Sequence, residues 1–227
     1  MKCSIIYNVL ESYEVVRRQI LYMSRIVPRD WEVIIVDDGS VPPISLSLDL
    51  IEKIQGCLDL KIYYTHDERP WTQGIARNLG ALKARGQYLW MLDIDHMISV
   101  EAIEAVKEFT GTKMVFRRIK AVLDENGNLC QDPKILKEYG CPDRYLEGDH
   151  GAGWNIFAMR RDLFIMTGGY VEVSGYGIED VDFSKRFGQE LRKRKLPLHT
   201  VGPPIYIYPA PREDKKQIFH SLRRRKR

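Results

Sequence analysis

Two carboxylates spaced two positions apart, Asp93-Ile94-Asp95, close the apolar run Tyr88-Leu89-Trp90-Met91-Leu92. Preceded by Gly86, that run reads as a buried strand. The i,i+2 spacing turns both side chains toward the same side. Two hard oxygen ligands at a strand end suit Mg²⁺ or Mn²⁺ carrying a diphosphate, which makes Asp93 and Asp95 candidate metal ligands. The same residues also fit a plain turn in which one Asp caps the next helix, a task open to Ser99 as well. A second acidic group, Glu179, Asp180 and Asp182, opens a segment whose apolar positions are Phe183, Phe187 and Leu191. Acids in a first helical turn meet the free N–H groups and the dipole, which accounts for one or two of the three. Glu179 and Asp180 lie four and three residues before Phe183, at the border of the buried stripe. A carboxylate held there behind a glycine-rich loop can have a tuned pKa and serve as a general base.

The elements that must position these groups alternate in the first half. Strands are expected at 4–7, 33–36, 61–65 and 88–93. Helical spacing of Val16, Ile20, Met23 and Val27 ends at Pro28. Further helices are expected near 48–54 and over 72–85, the latter on Ile75, Leu79 and Leu82. This order predicts an α/β fold, a mostly parallel sheet flanked by helices. Ligands in such sheets sit beyond the carboxyl ends of the strands, where Asn8, Asp37, Asp38 and Asp93 converge. The second half reads as a helix over 99–109, a strand over 113–122 and a hairpin turn at Asp124-Glu125-Asn126-Gly127-Asn128. It continues with a long surface excursion over 129–150 that serves as an acceptor loop, a strand over 151–159 containing Trp154, and a helix over 179–194. Gly168-Gly169 and Gly175 to Gly177 supply hinge positions for a lid.

Composition sets the outer limits. The 227 residues, 44% of them hydrophobic, can form a full core. No apolar run approaches the roughly 20 residues that span a bilayer, and the N-terminus turns polar too soon for a signal peptide. A cytoplasmic protein is the expectation. Cys3, Cys57, Cys130 and Cys141 have no metal or disulfide spacing and read as free thiols. The net charge of +4 resides in the terminal run Arg223-Arg224-Arg225-Lys226-Arg227. Without those five, 30 basic residues face 31 acidic ones. A nearly neutral body argues against a nucleic-acid-binding face. The tail is either a solvated terminus or a contact to the inner face of an anionic membrane or to an acidic partner.

Four ordered motifs resemble those of inverting glycosyltransferases of the GT-A (Rossmann-like) fold, in the style of family 2. Ile34 to Ser40 is similar to the first nucleotide-binding motif, Gly74 to Gly80 to the helix motif, and Asp93 to Asp95 to the DxD. Gly168-Gly169-Tyr170 with Gly175 to Asp182 resembles the C-terminal motif of β-1,4-galactosyltransferases. The resemblance implies a nucleotide-sugar-binding half over 1–98 and a smaller acceptor and catalytic half over 99–222, followed by the basic tail 223–227. It implies that Asp38, with Asn8 and Asp37, holds the uracil and ribose of a UDP-sugar, and that Arg77 positions the donor. Asp93 would meet the ribose or the water shell of the metal, and Asp95 would ligate Mn²⁺ or Mg²⁺. Asp180 would be the base and Glu179 would bind hydroxyls, with Trp154 as the wall for a sugar ring. The acceptor would be a glycan, a lipid-linked sugar or a protein.

The family often supplies a histidine ligand after the strand that follows the base helix. Here Ile205 to Pro209 carries none. His199 and His220 are possible substitutes, while strand alternation turns His96 away from Asp95. Two other readings remain: a nucleotidyltransferase, weakened by the lack of a glycine-rich phosphate loop, and a catalytically inactive nucleotide-sugar-binding module.

Overall fold

The computed structural model describes residues 2–209 apart from 68, 70, 71, 147, 149, 150, 154 and 174–176. In the first half, strands β1 (Cys3–Val9), β2 (Glu32–Asp37), β3 (Asp59–Tyr64) and β4 (Tyr88–Asp93) alternate with helices α1 (Tyr13–Ile26), α2 (Leu48–Ile54) and α3 (Gln73–Lys83). Each lies within a few residues of its expected place. Beyond them come β5 (His96–Met97), α4 (Val100–Glu108), β6 (Lys113–Lys120), β7 (Val122–Leu123), β8 (Leu129–Cys130), α5 (Pro133–Glu138), β9 (Phe157–Arg160), α6 (Arg161–Met166), α7 (Ile178–Arg194) and β10 (Thr200–Ile207).

Among the described residues one eight-stranded sheet runs β3-β2-β1-β4-β9-β6-β10-β5. The pairs β3-β2, β2-β1, β1-β4 and β6-β10 are parallel. The strands β9 and β5 run against their neighbours. The sheet is therefore mostly parallel, as the alternation requires, and it passes without a break from the first half of the chain into the second. Its central strands are apolar on both faces. Ile5, Tyr7, Val33, Ile35, Trp90 and Leu92 pack against α1, α2 and α4. Ile6, Ile34, Val36, Leu89 and Met91 face the other way, toward α3, α6 and α7. The stripe Phe183, Phe187 and Leu191 of α7 is buried in that second layer, with Phe183 stacked on Phe157 and Tyr170.

The carboxyl ends of β1, β2, β4, β6 and β10 share one edge of the sheet. Register places Asn8 beside Asp93, and Val9 beside Asp37. The turn chemistry at Asp124 to Asn128 closes a small hairpin of β7 on β8.

Two expectations need correction. The excursion over 129–150 carries β8, α5 and a 3-10 turn at Asp143–Tyr145. Asp132 caps α5 by accepting from the Lys134 N–H, Pro133 occupies its first turn, and Leu136 is buried. The strand expected from 151 begins only at Phe157, because Gly153 turns the chain through an Ile156 N–H to Gly153 carbonyl bond. The strand β10 runs over Thr200–Ile207. It absorbs Pro203 and Pro204, which cannot donate to a ladder, by a register shift between Gly202 and Ile205.

The opposite edge of the sheet is fastened by Glu32, which is fully buried. It accepts from Ser4 Oγ and the Arg85 N–H (both 2.6 Å) and pairs with Lys61 Nζ at 2.7 Å. Burial pushes the Glu32 carboxyl up, but Lys61, Ser4 and Arg85 outweigh it and hold it at about 2. A carboxyl held below its unfolded value contributes stability that is complete above about pH 4.5 and lost as pH falls toward 2. Glu32→Gln should therefore cost about 3 kcal/mol at pH 7 by urea unfolding, from some 2.5 pKa units. The gap should shrink steadily below pH 4. A gap that does not vary with pH would contradict the role given to this carboxylate.

Candidate active site

At the carboxyl edge, β4 ends in Asp93, residues 94 and 95 form a turn, and β5 starts at His96. The helix-cap alternative is excluded for both aspartates, because Ser99 Oγ caps α4 by accepting from the Ala102 N–H at 3.1 Å. Asp93, Asp95 and His96 each offer one ligand atom, all within 4.8 Å of one another. His96 thus faces Asp95, with Nδ1 2.7 Å from Asp95 Oδ1. The expectation that it turns away fails because the turn at 94–95 interrupts strand alternation.

The imidazole is 3% exposed; Nδ1 is taken up by Asp95, and Nε2 has no hydrogen-bond partner. Buried polar atoms without partners are uncommon, so an imidazole with a bare Nε2 beside two carboxylates fits a divalent cation site. His96 holds the Asp95 carboxyl beside it below the usual range. The stretch where the resembled family often supplies its histidine lies against this place. Ile207 pairs with His96, and the Tyr208 N–H donates to the Asp95 carbonyl at 2.9 Å. His199 precedes β10 and lies at the opposite edge of the sheet, seven residues of strand away from Tyr206 and so on the order of 20 Å off. It cannot complete this cluster. His220 lies outside the described residues.

Asp93 is the more engaged of the two aspartates. Its Oδ1 accepts from Gln73 Nε2 and from Arg77 Nη2 at 2.8 Å, and its Oδ2 from Asn155 Nδ2 at 2.9 Å. Asp95, with its side chain 39% exposed, is the freer oxygen donor.

The second acidic group sorts itself by contact. Asp180 Oδ1 accepts from Arg77 Nη1 at 2.6 Å, and its side chain is 29% exposed. Glu179 is 1% exposed and packs where α3 passes closest. A Cβ on Gly74 would stand 2.8 Å from the Val171 carbonyl and 3.4 Å from the Glu179 Cβ, so only glycine permits that approach. Asp182 binds Arg186, which also donates to the carbonyls of Thr167 and Gly169 and ties α7 to the glycine turn. Gly177 precedes α7 at φ +74°. The hinge residues Gly175 and Tyr176, and the expected sugar wall Trp154, lie outside the described residues.

Arg77 connects the two acidic groups. It is 1% exposed, donates to Asp93 and Asp180 together, and lies 5.1 Å over the Tyr170 ring. Burial opposes its charge, but Tyr170, Asp93 and Asp180 more than compensate and raise its pKa above the ordinary arginine value. Its neighbour Asn78 accepts from the Tyr170 N–H and donates back to the Tyr170 carbonyl.

The nucleotide-side residues divide likewise. Both oxygens of Asp37 accept backbone N–H groups, from Ser40 (2.9 Å) and Ile44 (2.8 Å), so Asp37 shapes the loop after β2. Asp38 accepts from Thr72 Oγ1 at 2.7 Å and Thr65 Oγ1 at 3.3 Å. Asn8 Oδ1 is buried without a hydrogen-bond partner.

Gln73, Asn78, Asn155 and His96 are the site residues that the sequence reading passed over or misdirected. Asn78 stood inside a quoted motif and His96 beside one. Gln73 and Asn155 carry no local signal. A hollow of about 560 Å³ lined by Lys2, Arg85, Tyr88, Arg160 and Arg161 lies at the opposite edge of the sheet, away from this cluster.

The profile of the family described as "Glycosyl transferase family 2" matches residues 5–165, most of the chain. The chain belongs to glycosyltransferase family 2. Its fold matches solved structures of the GT-A type. S. aureus TarS 1–349 in complex with UDP-GlcNAc superposes with a TM-score of 0.61 at 15% identity, over 96% of this chain and 60% of that one. The same protein in complex with UDP gives 0.62 at 18% identity, over 93% and 61%. The mannosyltransferase PcManGT from Pyrobaculum calidifontis, in complex with GDP-Man and Mn²⁺, gives 0.54 at 15% identity, over 99% and 60%. The chain spans about three fifths of the length of these structures. No curated protein matches it in sequence.

Asp38 yields a pH test. Burial drives its carboxyl up to about 6, against donation from Thr72 and Thr65. A carboxyl whose folded pKa exceeds its unfolded value adds stability below about pH 4 and loses it as pH rises through 6. Relative to Asp38→Asn, the wild type should therefore lose about 2 kcal/mol between pH 4 and pH 7 in denaturant titrations at each pH. A constant difference across that range would contradict the burial of this group.

Proposed function

We propose that the chain is a metal-dependent inverting glycosyltransferase that moves a sugar from a UDP-sugar to an acceptor hydroxyl by single displacement. The observation that carries this reading is the Arg77 guanidinium, which holds the carboxylate closing β4 and the carboxylate opening α7 at once. A donor-side acid and a base-side acid therefore flank one place. Family membership, the structural likeness to transferases solved with UDP-GlcNAc and with GDP-Man and Mn²⁺, and the resemblance of 168–182 to the C-terminal motif of β-1,4-galactosyltransferases support the same reading.

In this reading Asn8 and Asp38 receive the uridine, on the loop that Asp37 shapes. Asp95 and His96 would hold the divalent cation, with Asp93 beside them, and the bound cation supplies charge neutralisation for the departing diphosphate. Asp180 takes the proton of the acceptor hydroxyl as that oxygen bonds to the anomeric carbon and the bond to the diphosphate oxygen breaks. UDP leaves from the face opposite to attack, which inverts the anomeric centre. Glu179, buried behind Asp180, supports the binding of a hydroxyl from beneath, and Trp154 walls the sugar. The first 98 residues form the donor half and 99–222 the acceptor half, whose acceptor is a glycan, a lipid-linked sugar or a protein. No helix among the described residues is long and apolar enough to cross a membrane. We place the enzyme in the cytoplasm, with the basic tail, outside the described residues, as its contact to the inner face of a membrane.

UDP release from a panel of UDP-sugars with Mn²⁺ tests the proposal. The wild type should turn over at least one donor. Asp180→Asn should bind UDP normally and lose turnover by a factor on the order of 10²–10⁴. Binding by the wild type without turnover of any donor would favour the inactive binding module. In the same assay His96→Ala should raise the Mn²⁺ concentration at half-maximal rate about tenfold or more. An unchanged Mn²⁺ dependence would remove His96 from the cation site.

A further inference from the structure

We infer that Arg77 is a positioning residue that aims the Asp180 carboxylate at the acceptor and fixes its distance from the β4 carboxylate, and is not a ligand for the diphosphate of the donor. The inference rests on the transferase reading and changes the role that the family resemblance gave to this residue.

Three observations carry it. First, Arg77 is 1% exposed, and each of its terminal nitrogens already donates to a protein carboxylate, Nη1 to Asp180 Oδ1 at 2.6 Å and Nη2 to Asp93 Oδ1 at 2.8 Å. The Tyr170 ring lies against the guanidinium. Its remaining N–H groups, Nε among them, are buried with it, so a diphosphate would have to open this seal to reach the guanidinium. Second, a guanidinium is a rigid planar fork, so the two carboxylates on its two prongs have a fixed separation and orientation. Asp180 Oδ1 is committed to the fork. Among the described residues no hydrogen bond reaches Oδ2, which is the oxygen left for an acceptor hydroxyl. Third, the helix that carries Arg77 is fastened to the base side independently. Asn78 makes two bonds to the Tyr170 backbone, and Gly74 allows α3 to touch Val171 and Glu179. Asp93 is braced in turn by Gln73 and Asn155. Rigid supports on both sides suit a part that sets geometry.

The two roles separate in kinetics and binding. Lysine offers one point charge that cannot serve both carboxylates. Arg77→Lys should lower kcat by at least tenfold, while the Kd for UDP with Mn²⁺, read by calorimetry, stays within about threefold of wild type. Arg77→Lys combined with Asp180→Asn should be no slower than Asp180→Asn alone, because a misaimed base cannot be lost twice. A tenfold or greater loss of UDP affinity with kcat retained, or kcat losses that multiply in the double variant, would overturn the inference and leave the transferase reading intact. A wild type that neither binds UDP nor turns over a donor would sink both. If the lysine variant does not fold, a crystal structure of the wild type with UDP and Mn²⁺ decides. Arg77 still on Asp180 and out of hydrogen-bond reach of the diphosphate supports the inference, and a guanidinium on the phosphates refutes it.

Discussion

A guanidinium sealed between two carboxylates is the constraint around which this molecule is arranged. Removing a charge from water costs several kcal/mol, and only close partners offset that penalty. Arg77 has two, from parts of the chain 87 residues apart, and an aromatic face beside them. Losing either carboxylate would leave the buried guanidinium on a single anion, with one terminal nitrogen unmet. The end of β4, the first turn of α7 and the middle of α3 are therefore bound to one another by electrostatics as well as by packing. The stacked layer of Phe157, Phe183 and Tyr170 beneath them keeps water away and strengthens those attractions.

Around that centre the acidic residues divide into structural and available ones. Asp37 and Asp93 have both oxygens occupied by protein donors, Asp182 is paired with Arg186, and Glu179 is sealed from solvent. Asp95 and Asp180 keep half-buried side chains, Asp180 on one prong of the Arg77 bridge and Asp95 two residues beyond the aspartate on the other. The proposed reaction would use these two carboxylates, one for the cation and one for the proton.

The parallel part of the fold was legible because its strands are continuous apolar runs, each ended by polar residues, and because helical spacing is plain in α1, α3 and α7. The same regularity put Asn8, Asp38 and Asp93 at one edge. The second half was less legible for physical reasons. The strand β9 is short and enters antiparallel after a glycine turn, and β10 contains two prolines that normally argue against a strand. The position of α5 depends on a side-chain cap and a proline, not on periodicity. Within the site, the carboxylates announced themselves by type and spacing. Gln73 and Asn155 did not, because an amide that braces a carboxylate looks like any other polar residue. His96 was misdirected by extending strand alternation across a turn. The double attachment of Arg77 is a long-range fact that no local pattern encodes.

The central claim is that the Asp93 to His96 segment and Asp180 face one donor site. Anomalous scattering from Mn²⁺ in crystals grown with UDP tests it most directly. The account predicts a manganese peak against the Asp95 carboxylate and the His96 ring, with the diphosphate beside it and Asp180 across the same cleft. A peak on any other surface, or UDP seated away from the carboxyl edge of the sheet, would contradict it.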